Sequence, residues 1–288
     1  MPYRTKFFFS FIFLCATFLN SSGAIEKCDS LFSGNQYFEA SIEYERMIFE
    51  AKSLDDINYF KYRKALCYKY MGQFEQMIEE LQPIYFSNPA DSLYRFVCYE
   101  LSLCYYLKGE PARTLWKIDE YFYRSKDSLA LQDFLPLKIL ALNATCQWDE
   151  AMKSLLQFVD NQGFPDEKDA EIKKLVLNIY EKRNRPHIKS VQKAEDLSRF
   201  LPGLGQVYAG ASGEGVLNLL INASVLAFAG FQVYNGFYLT GYLAGFGFFN
   251  KTYHGGIKRA GTLADQKNKD QVIRFNSKTA ALILPNIE

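Results

Sequence analysis

The chain has 288 residues, of which 49% are hydrophobic and 23% are charged, and its formal net charge is +1. The length allows two domains or one domain with a membrane segment, and the hydrophobic content excludes an intrinsically disordered chain. Because the cations are dispersed along the chain, the composition gives no indication of a nucleic-acid-binding protein.

The first residues have the order of a secretory signal. Two cations precede the apolar run Phe7 to Leu19, and the small residues Ser22 and Ala24 follow at the spacing that signal cleavage requires. We therefore predict a signal peptide at residues 1–24. An uncleaved anchor helix is the alternative.

Cleavage at this point leaves five cysteines, whose spacing matches neither a zinc site nor a redox pair. They are Cys28, Cys67, Cys98, Cys104 and Cys146. Because they lie on or beside predicted helices, we expect mostly free, buried thiols. Some disulfide formation in an oxidising compartment is the alternative.

Residues 25–160 repeat the same residue classes at a constant spacing of 37. The four copies align on Ala40, Met77, Thr114 and Ala151, and the columns three residues before and four and seven residues after this one are mostly apolar. A fixed period of this size indicates a repeated supersecondary unit that buries its apolar face against its neighbour. Each copy predicts two helices joined by a tight turn. The turn column consists of Asn35, Gly72, Gly109 and Cys146.

The second copy predicts helices at Ile57–Met71 and Phe74–Phe86, and the third predicts helices at Leu93–Leu107 and Ala112–Tyr123. The second copy is the clearest, because a glycine forms its turn and an Asn-Pro pair follows its second helix. The predicted fold class is therefore all-α.

This pattern resembles the tetratricopeptide repeat family. Gly72, Phe74, Met77 and Pro89 match the family's order of glycine, aromatic, small residue and proline, although Met77 is bulkier than the family's residue. The resemblance implies a helical-hairpin solenoid, with a period that exceeds the family's 34 residues. A helical solenoid of another kind is the alternative.

The resemblance also implies a concave wall, lined by the first helices of the copies, that binds a protein or peptide partner. Its candidate residues are Tyr59, Tyr62, Lys69, Tyr70, Phe96, Tyr99 and Tyr106. Such a row of aromatic side chains suits an extended or helical peptide. The alternative is that these side chains only pack against neighbouring helices.

Residues 161–196 follow the repeats and contain one more amphipathic helix, Glu167–Arg183. An open solenoid needs a capping helix at its end, and we assign that role to this segment.

Between Phe200 and Asn250 the only charged residue is Glu214. The uncharged run Val216–Tyr234 is long enough, at about 1.5 Å per residue, to cross most of a bilayer core. A second apolar run, Phe237–Phe249, follows the polar pair at 235–236. We predict a membrane helical hairpin, with two buried helices of a soluble domain as the alternative.

A Gly-rich nonapeptide precedes the hairpin. Its characteristic residues are Pro202, Gly203, Gly205, Gln206, Tyr208 and Gly210. The motif resembles that of small bacterial two-helix membrane domains, which have no agreed biochemical activity. The resemblance implies a membrane domain at residues 197–268, followed by a C-terminal tail at 269–288.

Several polar and small residues of the hairpin suggest contacts between helices. Gly241 and Gly245 have the spacing of a close helix–helix contact, which makes oligomers possible, and Asn218 and Asn222 are placed to bond across the hairpin.

The cations that flank the hairpin raise a question of orientation. They are Lys193, Arg199, Lys251, Lys258 and Arg259. If the repeats are exported and the hairpin spans the bilayer, all five lie outside, against the positive-inside tendency. A shallow hairpin that does not span removes the conflict.

No catalytic or metal-binding spacing is present, since the only two histidines, His187 and His254, are far apart in the sequence. We therefore expect a non-enzymatic protein without cofactors, anchored in a bacterial cell envelope with its repeats in the periplasm, that holds a protein partner. The alternatives are an enzyme or transporter component with its site at Gln206, Tyr208 and Asn222, and a structural envelope protein without a dedicated ligand.

Overall fold

A computed structural model describes residues 23–88, 91–127 and 130–283. All regular secondary structure within these ranges is helical, as the sequence predicts. The chain forms two compact units that divide within one helix, between Ala141 and Leu142. Residues 1–22 of the predicted signal peptide, and Pro89 of the second copy, lie outside the described ranges.

In the first unit, consecutive helices α2 to α6 each pack against the next one along the chain. The helices are α1 (23–33), α2 (Tyr37–Glu50), α3 (Leu54–Tyr70), α4 (Phe74–Leu81), α5 (Ser92–Leu107), α6 (Pro111–Ser125) and α7 (Leu131–Ala144).

The prediction extended α4 to Phe86, but the helix ends at Leu81. Pro83 explains the difference, because its ring and missing N–H are incompatible with a continuing helix.

The columns of the 37-residue ladder coincide with the buried positions. Ala40, Met77, Thr114 and Ala151 are each at most 1% exposed. The column four residues later is equally buried, whereas the column three residues earlier is only partly buried. The periodic apolar residues therefore form the packed faces of the helices, which is where most of their stabilisation originates.

The turn column has one backbone conformation in all four copies. Asn35, Gly72, Gly109 and Cys146 have φ angles of 60°, 72°, 77° and 61°, in the left-handed region that ends helices. Glycine adopts this conformation readily, whereas a residue with a Cβ atom is strained by about 1–2 kcal/mol. Cys146 thus keeps the geometry of the turn at the expense of stability, whereas asparagine, as at Asn35, tolerates the left-handed region better.

Substitutions at two positions of this column are expected to change the stability of the protein in opposite directions. Cys146→Gly relieves the backbone strain and should stabilise the protein by up to about 1 kcal/mol, whereas Gly72→Ala should destabilise it by about 1 kcal/mol. No atom lies within 4 Å of the Cβ position of Gly72, so the second effect is conformational and not steric. Thermal unfolding measures both, with Cys146→Ser as the control for the lost thiol. A lowered melting temperature for Cys146→Gly would contradict the inference that the backbone is strained at this position.

The second unit contains the end of α7 and the remaining helices. These are α8 (Trp148–Asp160), α9 (Asp166–Ile179), α10 (Val191–Phe200), α11 (Leu204–Ala209), α12 (Ser212–Tyr234), α13 (Tyr238–Tyr242), a π-helical segment (Leu243–Phe248) and α14 (Phe249–Ile283). α12 packs against α13, the π-helical segment and α14, so the chain turns back on itself at Asn235-Gly236. We call residues 212–250 the hairpin.

α14 has 35 residues and therefore extends for about 52 Å. Its first half packs against α10, α11 and α12, and it also contacts α9. The region predicted as a C-terminal tail is helical up to Ile283. The membrane domain was predicted to begin at Leu197, which lies inside α10, but α10 as a whole packs against α11 and α14 and belongs with them.

The last turns of α14 pack against α8 and α9. The Phe275 ring contacts the rings of Trp148 and Tyr180 at 5.1 and 5.2 Å. Asn143 accepts a hydrogen bond from the Tyr180 hydroxyl at 2.9 Å and donates one to Thr279 at 3.4 Å. These side chains are almost fully buried except Trp148, so the end of α14 covers Tyr180, near the end of the predicted capping helix.

Candidate interaction surfaces

Three of the predicted groove residues lie together in the first unit. Tyr59, Tyr62 and Phe96 line a cleft of about 280 Å³ between α3 and the start of α5, with Arg63 and Leu93 beside them. Tyr59 and Phe96 are 40% and 46% exposed, and the rings of Tyr62 and Phe96 are 6.4 Å apart. We call these residues the aromatic cleft. Arg63 was not predicted to take part, since nothing in the repeat columns distinguishes it.

The other predicted groove residues do not join this cleft. Tyr70 stacks on Tyr37 at 4.9 Å and contacts Phe32 edge-on. Tyr99 packs against Phe134 at 5.4 Å, and Tyr106 is partly buried against the core. These three side chains stabilise the packing of the helices.

The cations near the cleft already have partners. Lys69 Nζ lies 2.8 Å from both carboxylate oxygens of Glu100, and Arg63 Nη2 lies 2.7 Å from Asp29. Burial, followed by the nearby Glu100 charge, raises the pKa of Tyr62 to about 12. The cleft therefore offers neutral aromatic surface, and Lys69 is not free to pair with a ligand carboxylate.

The Gly-rich nonapeptide forms the base of the hairpin. The Gln206 side chain is 1% exposed; its Oε1 accepts from Ser198 Oγ at 3.0 Å and its Nε2 donates to the Gly256 carbonyl at 3.0 Å. The Gly205 N–H donates to the same Ser198 oxygen at 3.1 Å. This network joins α10, α11 and α14 through one buried amide.

Two glycines of the motif allow this close packing. A Cβ atom on Gly205 would lie 1.9 Å from the Ala194 carbonyl oxygen, and one on Gly203 would lie 2.0 Å from the Gly215 carbonyl oxygen. Gly203 also has a φ angle of 94°. The motif residues therefore act as structural elements that bring three short backbone segments into contact.

Tyr208 connects the motif to the loop that precedes α10. Its hydroxyl accepts from the Ser190 N–H at 3.2 Å, and the Lys189 and Lys193 ammonium groups each lie 5.4 Å from its ring centre. Asn268 on α14 is joined to the Lys189 backbone by two hydrogen bonds of 2.8 Å. These contacts tie the loop before α10 to α14.

The hairpin exposes an unusually apolar surface. Within the described ranges, Ser212–Tyr234 is the one helix that is long and apolar enough to span a membrane, and 11% of its most apolar stretch is buried. The exposed side chains include Leu217, Leu220, Leu226, Phe228, Phe231, Leu239, Leu243, Phe246 and Phe248. Contiguous apolar surface of this kind marks a membrane or protein contact.

Polar side chains inside the hairpin bond to one another. Asn222 is 1% exposed, and its Oδ1 accepts from Thr252 Oγ1 on α14 at 2.9 Å. Its Nδ2 donates to the Asn218 carbonyl at 2.8 Å, while the Asn218 amide packs against Gly256. The bond predicted for Asn222 is thus present, but its partner Thr252 lies on α14 just after the hairpin.

Gly241 and Gly245 face α12 of the same chain. A Cβ atom on Gly241 would lie 2.7 Å from Val233 Cγ2, and one on Gly245 would lie 3.3 Å from the Ala229 Cβ. The close helix contact predicted from their spacing is therefore made within the hairpin. An oligomer through Gly241 would need this contact to open.

Within the described ranges, no group of three or more His, Cys, Asp or Glu side chains is placed to hold a metal ion. Of the residues considered for a site in the hairpin, Gln206 and Asn222 use both atoms of their amides in internal hydrogen bonds. The five described cysteines are free, and all except Cys146 are buried. Burial raises the pKa of the Cys67, Cys98 and Cys104 thiols to about 11.

A comparison of the chain with family models, with curated proteins and with solved structures finds no match.

Proposed function

We propose that this chain is a scaffold of the bacterial cell envelope, with tetratricopeptide-like repeats in the periplasm and a membrane hairpin as its anchor. The observation that carries the proposal is the exposed apolar surface of α12 and the returning segment. At about 1.5 Å per residue, the 23 residues of α12 extend for about 35 Å, which exceeds the hydrocarbon core of about 30 Å.

The turn of the hairpin supports the proposal, because three of its backbone donors are satisfied without water. The N–H groups of Asn235, Gly236 and Phe237 donate to the carbonyls of Phe231, Val233 and Gln232, so the turn satisfies these donors internally. Unsatisfied backbone groups are costly in lipid, which favours compact helical turns of this kind. Membrane insertion accounts for both the apolar exterior and the polar bonds in the interior.

The proposed partner site is the aromatic cleft. Tyr59 and Phe96 present half-exposed rings, and aromatic side chains contribute disproportionately to protein interfaces. Because the neighbouring cations are already paired, the cleft suits an apolar or aromatic side chain of a peptide segment.

Removing the two exposed rings is expected to weaken partner capture. Tyr59→Ser with Phe96→Ser should reduce the amount of crosslinked partner by about tenfold or more, because each truncated anchor costs about 1 kcal/mol or more. Crosslinking in membranes followed by mass spectrometry measures the effect.

The matched control replaces two exposed aromatic residues elsewhere in the first unit. Phe49→Ser with Tyr123→Ser removes rings that are 91% and 84% exposed. Equal capture by wild-type protein and the cleft variant would place the partner site elsewhere. An equal loss in the control would show that the effect is not specific to the cleft.

A further inference from the structure

An exposed apolar pair ends α10, immediately before the Gly-rich motif. Phe200 is 87% exposed and Leu201 is 41% exposed. The helix ends here because Pro202 disfavours a helical backbone at the residue before it, and Leu201 is accordingly extended. The packing of α10 against α11 and α14 leaves both side chains exposed, although neither belongs to the hairpin. We call Phe200 and Leu201 the apolar pair.

The direction of α10 follows from contacts at its two ends. Just before its start, two hydrogen bonds of 2.8 Å join the Lys189 backbone to Asn268 of α14. At its end, the Arg199 carbonyl accepts a hydrogen bond of 2.6 Å from the Tyr253 hydroxyl. These two positions of α14 are about 22 Å apart along the helix axis. Because α14 begins where the hairpin ends, α10 runs antiparallel to α14 and its apolar end points towards the hairpin.

Two contacts fix the level of the apolar pair along α12. Thr252, the neighbour of Tyr253, donates a hydrogen bond to Asn222, which is the eleventh of the 23 residues of α12. After the pair, the Gly203 backbone packs directly on that of Gly215, the fourth residue of α12. The chain passes from the first contact to the second through the apolar pair. The pair therefore lies alongside the first half of α12.

The first half of α12 is part of the surface that we assign to lipid. Leu217 and Leu220 are each 58% exposed there, and the apolar pair adds two large apolar side chains at the same level. Exposure of such neighbouring side chains to water is unfavourable, and lipid removes this cost. Lys251 of α14 is exposed at this level too, and its long apolar stem lets the ammonium group reach the headgroups.

We propose that the apolar pair is a second membrane contact, in which Phe200 and Leu201 insert between the acyl chains of the bilayer that holds the hairpin. The inference rests on the proposed membrane insertion of the hairpin. A hairpin alone is free to rotate about its long axis in a bilayer, whereas an apolar contact on a neighbouring helix restricts that rotation. The second contact therefore holds α10 in one orientation against the membrane.

Tryptophan fluorescence of the full chain in vesicles tests this contact. Phe200→Trp introduces a fluorescent ring at the exposed position, and the protein is reconstituted in dioleoyl phosphatidylcholine with or without brominated acyl chains. Bromine quenches a tryptophan that touches the acyl chains. We expect Phe200→Trp to lose more fluorescence in brominated vesicles than wild-type protein does, by up to the emission of the added ring, which is one of three tryptophans in the variant.

Val191→Trp is the matched control on the same helix. Val191 is 39% exposed at the start of α10, about 14 Å along the helix axis from Phe200 and further from the hairpin. This variant should be quenched no more than wild-type protein. Equal quenching of the Phe200→Trp and Val191→Trp variants would overturn the assignment of the contact to the apolar pair.

The emission wavelength separates lipid from protein as the cover of the apolar pair. Insertion between acyl chains should shift the emission of the added tryptophan to shorter wavelengths and allow quenching by bromine. The same shift without quenching would mean that a protein surface covers the pair, and would overturn the lipid contact. An unshifted emission would mean that the pair remains in water, with the same consequence.

Leu226→Trp distinguishes failure of this contact from failure of the proposed anchor. Leu226 is 50% exposed on α12 and reports on insertion of the hairpin itself. Quenching of Leu226→Trp without quenching of Phe200→Trp would overturn the second contact alone. If neither variant is quenched more than wild-type protein, the hairpin is not in the bilayer, and the anchor is overturned together with the contact.

Discussion

Replacing Leu220 and Leu226 with arginine should release the protein from membranes during alkaline carbonate extraction. Both side chains lie near the middle of α12 and are 58% and 50% exposed, so the substitutions disturb little internal packing. An arginine at the centre of a membrane helix costs about 2.5–3.5 kcal/mol on insertion scales. The ratio of membrane-bound to soluble protein should therefore fall by more than about a hundredfold.

The matched control introduces two arginines at exposed apolar positions outside the hairpin. Phe49→Arg and Leu177→Arg replace side chains that are 91% and 51% exposed on α2 and α9. This variant should stay in the membrane pellet. If the Leu220/Leu226 variant resists extraction as wild-type protein does, the apolar surface of the hairpin is a contact for another protein and not for lipid.

Gly205→Ala is expected to destabilise the second unit by about 3 kcal/mol, through overpacking of a closely packed site. The added methyl group would meet the Ala194 carbonyl oxygen, Ser198 Oγ and the Ala260 Cβ at 1.9, 2.4 and 2.8 Å. Relief requires α10 and α14 to separate, which would break the bonds of Gln206. For a unit of this size the melting temperature should fall by roughly 10 °C, measured by circular dichroism in detergent.

Gly213→Ala is the corresponding control. Gly213 is in the first turns of α12, and no atom lies within 4 Å of its Cβ position. Alanine there should be neutral or stabilise the helix by up to about 1 kcal/mol. An unchanged melting temperature for Gly205→Ala would show that α10, α11 and α14 are not closely packed in solution.

The local features of the chain were predictable from its sequence. The apolar ladder identified side chains that are buried, such as Tyr44 and Ile118, and the turn column identified four left-handed residues, two of them not glycine. Helix boundaries in the second and third copies differ from the prediction by a few residues, apart from α4. These features depend on spacing and backbone preference within about 40 residues, which a sequence displays directly.

The candidate sites were predictable only in part. In the sequence, an aromatic residue at an exposed helix position looks the same as one that packs against a neighbouring helix. The sequence therefore could not show that Phe96 is exposed whereas Tyr99 packs against Phe134. The pairing of Lys69 with Glu100 joins residues 31 positions apart, and no local pattern indicates it.

The sequence by itself determined that the chain is helical, where its apolar faces and turns lie, and that the uncharged run Val216–Tyr234 is long enough to cross most of a bilayer core. Only the tertiary structure decided that Gln206 joins three helices, that Gly241 packs against α12, and that the end of α14 covers Tyr180. The reason is physical. Periodicity specifies which face of a helix is apolar, but it does not specify the opposing surface, which depends on which separate helices meet, as Gln206 and Gly256 do across 50 positions.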